Sequence, residues 1–156
     1  MNESNLSYWS LGYPERERIL FELLPPVADK QTEGYDWIRA RAKIQVGKFH
    51  GQTELMLTVS DIISFKEQVE CLHRDLKGFA EFTTIEGQVG LKIETDGLGH
   101  MNATGYLRDD VSFGNELSFT IEFDQTFLKQ TISEINTALY QLGINSIGYR
   151  DRDVHR

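Results

Sequence analysis

From Trp37 to Val46 apolar and polar residues alternate without a break. Ile38, Ala40, Ala42, Ile44 and Val46 fall on one side, and Trp37, Arg39, Arg41, Lys43 and Gln45 on the other. Successive side chains of a strand point to opposite faces, so this spacing predicts a strand with a buried apolar side and a basic outer row. Phe49-His50-Gly51 reverses the chain, and Leu55, Leu57 and Val59 supply a second apolar row. At Ser60-Asp61 the period lengthens to about 3.6 residues. Ile62, Phe65, Val69, Leu72 and Leu76 then predict a helix with one apolar stripe, closed by Gly78.

The same two periods recur downstream. Phe79 to Ile85 reads as a strand, followed by a turn at Gly87 and an inner row of Val89, Leu91 and Ile93. Asp96-Gly97 is a hairpin signal, with Gly99 adding slack, and Met101, Ala103, Gly105 and Leu107 form the inner row of the return strand. A polar connection from Arg108 to Asn115 leads to a strand with Leu117, Phe119, Ile121 and Phe123 facing inward. Asp124 suits an N-cap, Phe123 and Leu128 a hydrophobic staple, and Leu128, Ile132, Ile135, Leu139 and Leu142 a second helical stripe ended by Gly143. Upstream, Ile19, Phe21 and Leu23 alternate as in a strand, although Ile19, Leu20, Leu23 and Leu24 could line a helix. Eight residues before Pro25-Pro26 favour the strand.

The expected architecture is α+β: one domain over residues 1–156, with a single antiparallel sheet of about six or seven strands. Both amphipathic helices are expected on one face of that sheet. Residues 1–16 are expected as a loosely packed arm, 25–34 as a polar loop and 144–156 as a polar tail. Glu54-Leu55…Thr58-Val59 before the first helix echoes Glu116-Leu117…Thr120-Ile121 before the second, a pattern that duplication or convergent patterning explains about equally well.

Charge narrows the partners. A formal net charge of −8 and a pI near 5.0 argue against nucleic acid and anionic membrane, which need concentrated Lys and Arg, and favour a basic protein partner. Cys71 is the only cysteine, which excludes a disulfide framework and a multi-thiolate metal site; it reads as an inert packing residue. The first thirty residues lack a basic start followed by an apolar run, and no apolar run approaches membrane-spanning length, so the expected location is the cytoplasm.

Catalytic patterns are absent. His50, His73, His100 and His155 show no HExxH spacing, and neither CxxC nor Gly-x-Ser-x-Gly occurs. His100 and Asp96 flank a turn, where a turn-stabilising bond is the simpler role. No metal, cofactor or enzymatic activity is expected. The outer row Trp37, Arg39, Arg41 and Lys43 has two readings. It could grip an acidic ligand, or it could pair across strands with Glu94, Glu116 or Glu122; the acidity of the chain favours pairing.

Taken in order, these segments resemble the WapI family of bacterial immunity proteins. The resemblance is carried by Tyr35-Asp36-Trp37-Ile38, Gly51…Glu54-Leu55, Asp61…Phe65, Leu76-Lys77-Gly78, Ala80-Glu81-Phe82 and Glu86. It continues through Asp96-Gly97-Leu98-Gly99-His100, Gly105-Tyr106-Leu107, Leu117…Phe119 and Asp124-Gln125-Thr126-Phe127-Leu128. It implies stoichiometric binding of a cognate contact-dependent toxin domain, often a nuclease. The expected contact set is the polar edge: Glu94, Asp96, Asp109, Asp110, Glu116 and Glu122. Two alternatives are a ligand-binding module using a sheet face around Trp37, Arg41 and Tyr106, and a small hydrolase with titratable groups gathered in a cleft.

Overall fold

Each apolar row needs a surface to bury against, and the chain supplies those surfaces in two equivalent rounds. The computed structural model describes residues 6–25 and 37–144. Strands β1 (Ser7–Gly12), β2 (Arg18–Leu23), β3 (Trp37–Val46) and β4 (Phe49–Thr58) form an antiparallel sheet in that order, and helix α1 (Val59–Asp75) follows. Strands β5 (Phe79–Thr83), β6 (Val89–Thr95), β7 (His100–Arg108) and β8 (Glu116–Asp124) form a second sheet, again in order, followed by helix α2 (Thr126–Gln141).

The expectation of one sheet of six or seven strands is therefore corrected to two sheets of four. Alternation identifies which side of a strand is buried, but not which strand lies beside its edge. Here α1 intervenes between β4 and β5, so the run of hairpins is cut in the middle of the chain. The helices do not share one sheet face either. Helix α1 packs mainly on β5 and α2 mainly on β1, so each crosses to the first strand of the other sheet.

Both crossings end in hydrogen bonds to a strand edge. At the edge of β1, Thr131 Oγ1 of α2 donates to Ser10 O at 2.7 Å, and Glu134 Oε1 accepts from Ser10 N at 3.1 Å and Ser10 Oγ at 2.8 Å. At the edge of β5, the Gln68 amide of α1 accepts from Glu81 N at 3.0 Å and donates to Glu81 O at 3.3 Å. A bare edge is a template for pairing with another chain, and these side chains close two of the four edges.

The core unites both halves. Trp9 of β1 stacks on Phe21 of β2 with centroids 4.0 Å apart, and it meets Phe82 of β5 at 5.1 Å and Phe65 of α1 at 5.4 Å. All four rings are essentially inaccessible to water. The predicted inner rows are buried in β3, β6 and β7 except for Val46 and Gly105, which are partly buried, and in α1 Ile62, Phe65, Val69 and Leu72 of the predicted stripe face the core.

Residues 7–12, expected within a loose arm, instead form β1. A row of only two inward residues, Trp9 and Leu11, is too short for its period to register, yet Trp9 is the centre of the aromatic cluster. Residues 18–23 form a strand, as the alternation of Ile19, Phe21 and Leu23 predicted. Thr58 caps α1, in a reciprocal box where Asp61 N donates to Thr58 Oγ1 and Thr58 N to Asp61 Oδ2. The helix ends on Leu76 in the left-handed region at φ 51°, two residues before Gly78. Asp124 Oδ1 accepts from Thr126 N at the start of α2. Most of the 25–34 loop, the Tyr35-Asp36 pair and residues 145–156 of the tail lie outside the described residues. Ile144, placed in that tail, is buried and donates its N–H to Leu139 O. Among the described residues no helix is long and apolar enough to cross a membrane.

Candidate protein-docking surfaces

The outer face of the first sheet is held by its own ion pairs. Glu54 of β4 lies 3.3 Å from Arg41 and 3.8 Å from Arg39, and Glu22 of β2 lies 2.8 Å from Lys43. The partners expected at Glu94, Glu116 and Glu122 are thereby corrected. Those three belong to the other sheet, whereas Glu54 sits directly opposite Arg41 in the register of β3 and β4.

Trp37 and Arg41 lie on β3 and Tyr106 on β7, so the three do not form one face. Tyr106 has a local task. Its ring lies over Gly90, where a Cβ would come within 2.4 Å of Cε1, and the Arg108 guanidinium stands 4.7 Å from its centroid.

The six expected acidic residues separate into two groups. Glu94, Asp96 and Glu122 line a shallow depression of about 570 Å³ beside the β6–β7 turn, together with Tyr13, His100, Asn102 and Asp124. Asp124 joins this group through its outward phase on β8, two residues beyond Glu122; the N-cap of α2 is Gln125, without a side-chain cap bond, rather than the expected Asp124. Asp109, Asp110 and Glu116 lie at the opposite end of β7, and nine residues of strand put roughly 25 Å between the two groups.

Within each group several carboxylates already serve the backbone. Asp96 Oδ1 accepts from Leu98 N at 2.7 Å and His100 N at 3.1 Å, and its Oδ2 lies 3.0 Å from His100 Nδ1. Asp110 Oδ1 accepts from Ser112 N at 2.8 Å and Phe113 N at 3.2 Å. Asp109 binds both Asn115 N and Asn115 Nδ2, and Glu116 binds Arg108 Nε at 2.7 Å. Donated backbone N–H groups hold three carboxyls below their usual range: chiefly that of Leu98 for Asp96, those of Ser112 and Phe113 for Asp110, and that of Thr126 for Asp124.

A carboxyl depressed in the folded state stabilises the fold above its unfolded value, 3.8 for these residues, and loses that contribution as pH falls through the lower folded value. Denaturation midpoints are therefore expected to stay level from pH 7 to about pH 5 and to drop below about pH 4. The drop should be smaller in Asp110→Asn. An equal drop in that variant would show that the Asp110 turn contributes nothing to it.

The connection from Arg108 to Asn115, expected as polar, carries two apolar side chains that its composition hides. Phe113 is 92% exposed and Val111 51% exposed. Cys71, expected as a packing residue, is exposed on α1 with Arg74 Nη2 3.4 Å from its sulfur. Among the described residues no group of three or more His, Cys, Asp or Glu side chains converges as a metal site.

Comparison with known proteins adds one decisive match. The model of the immunity protein WapI-like family matches residues 12–143. No curated protein sequence matches the chain. Among solved structures it is similar to a chain of the Trypanosoma bruciei MRP1/MRP2 crystal structures, at 10% identity and a TM-score of 0.43, over 80% of this chain and 76% of that one.

Proposed function

The chain belongs to the WapI-like immunity protein family, and on that premise we propose that it binds a cognate contact-dependent toxin domain in the cytoplasm, one to one, and keeps it from its substrate. The toxin domain is basic, with a nuclease as the leading candidate, and the chain acts as a stoichiometric inhibitor rather than an enzyme. What carries the reading is the family match, which runs from the end of β1 to the end of α2. Charge supports it: a chain of net charge −8 meets a basic groove at fast, salt-sensitive rates. The small-ligand alternative has less behind it, because Trp37 and Arg41 stand on a different sheet from Tyr106.

Co-expression with a candidate contact-dependent toxin domain tests the reading. Recovery of a one-to-one complex, with survival of the cells, is the expected result. Growth arrest with no complex would reject it.

The acidic residues contribute mainly by steering. Glu94 and Glu122 suit a test because both are exposed and neither holds a turn, unlike Asp96 and Asp110. The double exchange Glu94→Lys with Glu122→Lys is expected to slow association about three- to tenfold at low salt. At roughly 0.5 M salt the difference should largely vanish, since screening then acts within a few ångströms. Equal rates at low salt would show that these residues contribute nothing to long-range steering.

A further inference from the structure

The connection between β7 and β8 is wound tightly on itself while its apolar side chains point away from the core. Asp109 N donates to Asn115 O at 3.2 Å and closes the loop, and Asp109 and Asp110 accept three further backbone N–H groups inside it. Gly114 leaves no room for a side chain, since a Cβ there would come within 2.2 Å of Asp109 Oδ1. The loop displays Phe113 at 92% exposure and Val111 at 51%.

Two other turns bring exposed apolar residues to the same end. Ile85, 60% exposed, belongs to the β5–β6 turn, whose Gln88 O accepts from Arg108 N at 2.8 Å. Phe49, 69% exposed, is two residues from Gly51, which rests against Leu107 and Leu117. Single exposed apolar residues are ordinary, but several from three turns at one end, one of them on a preorganised loop, mark a contact surface.

We propose that loop 109–115 is the anchor of the immunity interface: Phe113, flanked by Val111, inserts into an apolar socket of the toxin domain, and Asp109 and Asp110 act as positioning residues that hold the loop in its bound shape. The proposal rests on the toxin-binding reading and deepens it. Charge selects the occupant. Asp109, Asp110 and Glu116 belong to or follow the same loop as Val111 and Phe113, and Glu86 follows Ile85 in its turn; a second copy of a chain carrying −8 would bring like charges together, whereas a basic partner brings opposite ones. Preorganisation matters because an anchor already in place spares the ordering cost of binding, and buried aromatic anchors dominate interface energies.

The test measures affinity for the purified toxin domain recovered in that co-expression, using the wild type, Phe113→Ala, Asp110→Ala and Leu98→Ala. Phe113→Ala removes no core contact and is expected to weaken binding at least thirtyfold, mostly through faster dissociation. Asp110→Ala, which frees the loop, should weaken it about fivefold. Leu98, 86% exposed at the opposite end of β7, should tolerate alanine without change. If the wild type forms no complex, the toxin-binding reading falls and takes this proposal with it. If the wild type binds and Phe113→Ala binds equally well, the proposal alone is overturned. A loss confined to Leu98→Ala, or a change of mass in light scattering without a change of affinity, overturns it as well.

Discussion

Replacing Trp9 with alanine is expected to destabilise the protein by about 3–5 kcal/mol, the range for deleting a large buried aromatic. Trp9 is fully buried and touches Phe21, Phe65 and Phe82, so the cavity would open where both sheets and α1 meet. Its surroundings can relax little, because the three neighbouring rings are pinned by different elements. The midpoint of thermal unfolding should fall by roughly 10 °C, with Tyr140→Ala on the exposed side of α2 shifting it by no more than about 2 °C. A shift of a degree or two for Trp9→Ala would mean that β1 is a detachable strand rather than part of the core.

The second large effect is expected at the junction of α2 with β1. Thr131→Val keeps the shape of the side chain but removes the hydroxyl that donates to Ser10 O in a buried position. Leaving that carbonyl without a partner should cost about 1–3 kcal/mol. Glu134→Ala strands Ser10 N–H in turn, and its amide should exchange with solvent much faster than in the wild type. The corresponding change on α1, Gln68→Ala, should cost under about 1 kcal/mol, because its bonds to Glu81 are solvent-exposed and water can replace them. Equal costs at the two junctions, measured by denaturant midpoints at constant m-value, would contradict this ranking.

Much of the fold was legible because burial on one side leaves a period-two signature. Ile38 to Ile44, Val89 to Ile93 and Met101 to Leu107 all face the core as their alternation requires. What periodicity omits is lateral order. Nothing in the pattern of β4 and β5 says that they are not neighbours, and β1 is too brief to betray itself. The ion pairs on the first sheet depend on where the chain reverses. The turn is at Gly47-Lys48 and Phe49-His50-Gly51 already belong to β4, so the reversal expected at those three residues misses the register that sets Glu54 opposite Arg41. For the candidate surface, the hairpin at Asp96-Gly97 brings Glu94 and Glu122 onto one row with Asn102 between them. The same hairpin geometry sends Asp109, Asp110 and Glu116 to the far end. Phe113 was hidden by its company. A phenylalanine among Asp, Ser, Gly and Asn reads as loop composition, and only its exposure distinguishes an anchor from a residue tucked under the turn.

The crossed helices make each half of the chain the other's missing piece. Four strands and the helix that follows them leave two raw edges and one greasy rod, and the opposite half covers the rod and one of those edges. Neither half is therefore a free-standing unit. The two halves are expected to unfold together in one transition, and two molecules caught midway could exchange helices and lock together as a swapped pair.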